Sequence, residues 1–123
     1  MTEAAILEAL PTLDETLQGA LEAVGQIVRY FEEGKEKEAY TLLGQLLQAI
    51  QAIHGVMAQG TGWANPSDAE IPRSEIPARL EAALTQLIFA NERQDWIGIS
   101  DVLEYEITPI ISSCKRIVED TRK

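Results

Sequence analysis

Residues 13–57 read LDETLQGALEAVGQIVRYFEEGKEKEAYTLLGQLLQAIQAIHGVM, and the spacing of their apolar side chains decides the fold. Leu13, Leu17, Leu21, Val24, Val28 and Phe31 follow one another at steps of four and three, the period of an amphipathic helix rather than of a strand. Ala39, Leu42, Leu43, Leu46, Leu47, Ile50, Ile53 and Met57 make a second, broader stripe, which leaves Lys35, Glu36, Lys37, Glu38, Gln45 and Gln51 for the opposite face. Between the stripes stands Gly34, a residue that accepts the left-handed conformation helix ends often need. The connection Gly34-Lys35 is so short that the two helices must run antiparallel as a hairpin. Pro11 and Thr12 supply a break and a cap, so the first helix is expected over about 12–33 and the second over about 36–58. Glu3 to Leu10 would then be a separate short helix or a frayed extension.

Beyond this hairpin the period is lost. Residues 59–74 hold Gly60, Gly62, Asn65, Pro66, Ser67, Asp68 and Pro72 and read as the one long loop. Ser74 looks like an N-cap, with Glu75 in the first turn and Pro77 near enough the start to be tolerated. Leu80, Ala83, Leu84, Leu87, Ile88 and Asn91 then carry a third helix over about 75–92. Asp95 is a good cap for a fourth, over about 96–120, in which Trp96, Ile99, Val102, Leu103, Glu106, Ile110, Ser113 or Cys114, and Ile117 share a face. Pro109 lacks the amide that would bond back to Tyr105, so a kink is expected one turn before it. The fold class is all-α, a single domain over 1–123 built as an antiparallel four-helix bundle whose last helix is kinked near Pro109.

Composition narrows the function. The chain of 123 residues is 46% hydrophobic and 24% charged, a balance that forms a real core and excludes disordered classes. Twenty acidic against ten basic residues give a net charge of -10, which repels phosphate backbones and anionic lipid, so neither nucleic acid nor a membrane is an expected partner. Only residues 113–123 run the other way, with four basic and two acidic side chains; the helix dipole accounts for them, and docking of an acidic partner is the alternative. One cysteine, Cys114, cannot close an internal disulfide, and with one histidine, His54, it cannot build a Cys/His zinc site. The acidic Met1-Thr2-Glu3 start and the lack of a long apolar run complete the expectation of a cytoplasmic, unexported protein.

No catalytic set emerges from the residues. Carboxylate-bridged metal bundles need Glu-x-x-His on two helices, and none occurs. Gly60-Thr61-Gly62 lacks the following lysine of a phosphate loop, and Cys114 and Ser112-Ser113 have no histidine partner in sequence context. His54, beside stripe position Ile53, reads as a boundary histidine or, alternatively, a ligand or base. Glu106 sits on the stripe between Leu103 and Ile110, where it is either a polar anchor or ligand contact in the core, or a residue that the Pro109 kink turns to solvent. Trp63 in the loop and Trp96 at the start of the last helix are either partner anchors or plugs for the bundle ends.

Two resemblances add to this. Leu84 to Ile117, with Leu87, Ala90-Asn91, Asp95, Ile99 and Val102-Leu103, resembles the last helical hairpin of the flagellin-export chaperones, and Ala20 to Met57 resembles their preceding hairpin. The stretch Asp101-Val-Leu-Glu-Tyr-Glu-Ile-Thr-Pro109, after Asp95, is similar to a signature of small uncharacterised bacterial helical proteins. The first resemblance implies a chaperone-like bundle; the second implies no known activity. The expected function is a non-enzymatic protein-interaction module, an adaptor or export-chaperone-like bundle that meets a partner through Trp63, Trp96, Ile99, Leu103 and Glu106, with no cofactor or metal. The alternatives are a small-molecule or metal-binding bundle centred on Glu106, and a homodimer.

Overall fold

The computed structural model describes residues 3–59 and 63–122, and among these there are four long helices and no strand. Helix α1 spans Glu3–Glu32, α2 Glu36–Met57 and α3 Ile76–Glu92, the last entered through a 3₁₀ turn at Arg73–Glu75. Helix α4 is continuous over 96–121 in three parts: an α segment Trp96–Val102, a π turn Leu103–Ile107 and an α segment Thr108–Thr121. Each helix packs on its chain neighbour, and α1 closes the bundle against the second half of α4. The core is the inner row of all four, including Leu17, Ile27, Leu43, Ile50, Leu80, Leu87, Leu103 and Ile117. Burial of this kind is worth about 1.5–3 kcal/mol per large aliphatic side chain.

Three expectations are corrected at helix ends. Pro11 lies inside α1 and does not break it. Its missing amide can orphan only the carbonyl of Leu7, an exposed residue that water reaches, while Leu10 and Leu13 on either side are buried and hold the helix down. Ser74 is not a side-chain cap; it lies within the 3₁₀ turn, and Glu75 takes the N-cap position without a side-chain bond. Ile88, placed on the apolar stripe, is exposed, because the buried row of α3 is the narrower Ile76, Leu80, Ala83, Leu87 and Ala90.

The kink at Pro109 takes a definite form. The amide of Thr108 reaches back five residues to the carbonyl of Leu103, and the Thr108 hydroxyl donates to the same oxygen at 2.9 Å. Widening the helix by one residue lets the amide-free Pro109 follow without a clash, and it shifts the buried row from position 106 to Ile107. From there Ile110, Ile111, Cys114, Ile117 and Val118 face the core.

Residues 63–72 are a strap along the second half of α4. The indole of Trp63 is buried and donates to the carbonyl of Gln59 at 3.1 Å, and Ile71 is buried beside the bundle. The amide of Ile71 donates to the buried Ser113 hydroxyl at 3.0 Å, and the amide of Ala64 to the Thr121 hydroxyl at 2.9 Å. Outside these, the Arg116 Nε–H is shared between both oxygens of Asp68 at 3.0 Å, and this hydrogen bond pushes the guanidinium pKa up.

Candidate functional site

The antiparallel topology brings both tight turns, 33–35 and 93–95, to one end of the bundle, and there the aromatic side chains gather. Phe31, from the last turn of α1, meets Tyr40 edge to face at 5.2 Å and stacks on Trp96 at 6.0 Å. These pairs tie the first hairpin to the start of α4. Burial raises the Tyr40 phenol pKa, and the negative charges of Glu36 and then Asp95 push it the same way. The Asp95 carboxylate accepts from the amide of Gly98 at 3.0 Å and so caps α4, as its sequence position predicts. A methyl group at Gly98 would stand 2.5 Å from Asp95 Oδ2, so the cap and the glycine are matched.

Outward from this cluster, large apolar side chains reach solvent. Ile88 is 42% exposed, Phe89 57%, Trp96 40% and Ile97 58%, all within ten residues of one hairpin, and Tyr105 further along α4 is 72% exposed. Arg93 lies over the Phe89 ring at 5.2 Å, which shields one face of that ring. Single exposed apolar residues are ordinary on a protein surface; here four fall within ten residues of one hairpin.

The five residues read from sequence as a partner site are not brought together. Trp63 is buried at the opposite end, at the start of the strap, and Ile99 and Leu103 are fully buried core residues, because they lie on the inner row of α4. Glu106 is exposed: the π turn moves Ile107 into the core in its place. Trp96 alone joins the apolar surface. Phe89, Ile97 and Tyr105 are its unread members, and their signal is that each is an apolar residue one position out of register with its own helix stripe.

Other candidates resolve as structure. His54 Nε2 lies 3.3 Å from the exposed Glu81 carboxylate across the α2–α3 seam, at an angle that makes no hydrogen bond. Cys114 is a buried free thiol whose pKa burial pushes up to about 12, so it carries its proton at neutral pH. Ser113 holds the strap. Among the described residues no group of three or more His, Cys, Asp or Glu could hold a metal ion, and no helix is long and apolar enough to cross a membrane. Gly60, Thr61 and Gly62 lie outside the described residues, as do Met1, Thr2 and Lys123.

The fold and this surface define an acidic four-helix bundle with an apolar hairpin end. A family model, Domain of unknown function (DUF8042), matches residues 8–117, and the chain belongs to that family. No curated protein and no solved structure matches the chain.

Proposed function

We propose that this protein is a non-enzymatic interaction domain, an adaptor or chaperone-like bundle of the bacterial cytoplasm, that meets a protein partner through the end of its α3–α4 hairpin. The observation that carries the reading is the exposure of Ile88, Phe89, Trp96 and Ile97 at one turn of a chain whose other large apolar side chains are mostly in the core. Exposing such side chains raises the free energy of the isolated protein and its tendency to aggregate, and a partner that covers them removes both liabilities. The helical hairpins that resemble export chaperones support the class, and a chain with one cysteine needs no oxidising compartment to fold.

The test is capture of the tagged protein from its native cytosol beside a Phe89→Ala, Ile97→Ala double variant. Both changes are at exposed positions, so the melting temperature should stay within a few degrees. A partner is expected whose recovery drops at least about tenfold in the variant, the loss of two interface anchors. Equal recovery with both proteins would overturn the assignment of the surface. A bait that returns alone and associates with itself would replace the adaptor with a homodimer.

A further inference from the structure

The outer face of the α3–α4 hairpin carries charge as well as apolar area. On α4, Ile97, Asp101, Glu104 and Tyr105 are all exposed and fall at spacings of four, seven and eight, the spacing of one helix face. From Trp96 to Cys114 the helix holds three carboxylates, Asp101, Glu104 and Glu106, and no cation. Among the described residues none of the three is in an ion pair. Over residues 76–112 there are six acidic and two basic side chains, and both cations are engaged: Arg79 pairs with Glu75 at 3.0 Å and Arg93 lies over Phe89. Such a face attracts positive charge and repels anionic lipid and nucleic acid.

A second copy of this chain fits poorly. It brings the same net charge of -10, and among the described residues its cations near the C-terminus, Lys115, Arg116 and Arg122, are engaged within its own fold. Lys115 donates to Gln18 at 2.7 Å, Arg116 binds Asp68 and Asp120 at 3.0 Å, and Arg122 stands 3.9 Å from Asp14.

We propose that this face docks a cationic amphipathic segment of another protein, its apolar side chains against Phe89, Ile97 and Tyr105 and its Lys or Arg side chains against Asp101 and Glu104. The inference rests on the interaction reading above and adds the chemistry of the partner. The apolar contacts supply affinity, and the carboxylates set the register, the on-rate and a steep dependence on salt.

The experiment uses two synthetic amphipathic peptides with one leucine pattern, one carrying Lys and the other Glu at its polar positions, titrated into the full chain and followed by amide NMR. The Lys peptide should shift the amides of Phe89, Ile97 and Asp101 to Tyr105, and its affinity should fall with salt. Asp101→Lys with Glu104→Lys should weaken it about tenfold at low ionic strength, whereas Glu8→Lys with Glu15→Lys, exposed on α1, should change it less than about twofold. Equal weakening by both pairs, or shifts on another face, would reduce the effect to bulk charge and overturn the inference. Equal binding of the Glu peptide at this face would overturn the charge selectivity and leave the interaction surface standing. Failure of both peptides to touch the face would remove the interaction reading as well. Shifts at these residues on concentrating the free protein would make the occupant a second copy and overturn the stated partner.

Discussion

At Gly34 and at Gln94 the chain makes the same turn with opposite chemistry. After α1, the amide of Gly34 bonds to the carbonyl of Phe31 at 3.1 Å and that of Lys35 to Tyr30 at 2.7 Å. After α3, Gln94 bonds to Asn91 and Asp95 to Ala90, both at 3.0 Å. Each is a Schellman closure, with the left-handed residue at φ 75° in the first and 52° in the second. The next helix then starts from nearly the same conformation, φ -89° at Lys35 and -87° at Asp95. The first turn puts glycine in the strained place and leaves its helix uncapped by any side chain; the second strains a glutamine and caps with Asp95. Two sequences thus reach one backbone by meeting different halves of its requirements. The strained version belongs to the turn that bears the exposed Phe89, Trp96 and Ile97, where strain held by surrounding packing is a recurrent mark of a functional segment.

The comparison breaks most visibly at Gly34. Gly34→Gln transplants the strained residue without the cap that accompanies it, and should cost about 1–2 kcal/mol, read as a shift of the denaturation midpoint with an unchanged slope. No side chain crowds the position, so a larger loss would have to come from outside the turn. An unchanged midpoint would show that the left-handed conformation is not what Gly34 is there for.

Asp95→Ala should cost about 1 kcal/mol, since it removes the acceptor for Gly98 and leaves an orphan amide at the start of α4. Asp95→Asn keeps an acceptor and should lose far less, so equal losses in the two variants would assign the effect to charge rather than capping. The reciprocal changes sharpen the contrast from the other side. Gln94→Gly and Lys35→Ser each supply what their turn lacks, and each should add about 0.5–1 kcal/mol, additive within error because the two turns share no hydrogen bond. A Lys35→Ser variant no more stable than the parent would mean that water already satisfies the first amides of α2.

Sequence periodicity reveals these turns unequally. Gly34 announces itself by type; Gln94 does not, and the turn is shown instead by the Asp95 cap and by the gap between the Leu87 row and the Ile99 row. The helices themselves are legible because a row such as Leu43, Leu46, Ile50, Ile53 and Met57 reports burial directly. Position 106 is ambiguous in the sequence because a constant step of 3.6 residues puts Glu106 on the stripe while Pro109 demands an irregularity that could turn it to solvent; the structure takes the second course, through a π turn. The strap is illegible for a related reason. Its order comes from Ser113 and Thr121, hydroxyls more than forty residues away along the chain, and no local pattern in 63–72 encodes them. The apolar surface is illegible because only the stripes report burial, and Phe89 and Ile97 lie off them.

Tyr40 offers the finest measure of how the turns act on each other. It stands in the first turn of α2, yet one of the charges that raises its pKa, Asp95, belongs to the second turn; burial is the larger cause and Glu36 the next. A phenol whose folded pKa lies above its unfolded value contributes stability that is complete below about pH 10 and lost as pH rises through the folded value, because the unfolded chain ionises first. Asp95→Asn removes the smallest of the three causes while keeping the cap, so the Tyr40 pKa, followed by NMR of its ring carbons, should fall without returning to the ordinary tyrosine value. Asp95→Ala should produce the same fall together with the stability loss of the missing cap. If Asn left the titration untouched while Ala moved it, the coupling would run through the packing of Phe31 between Tyr40 and Trp96, and the two turns would be joined by stacking rather than by charge.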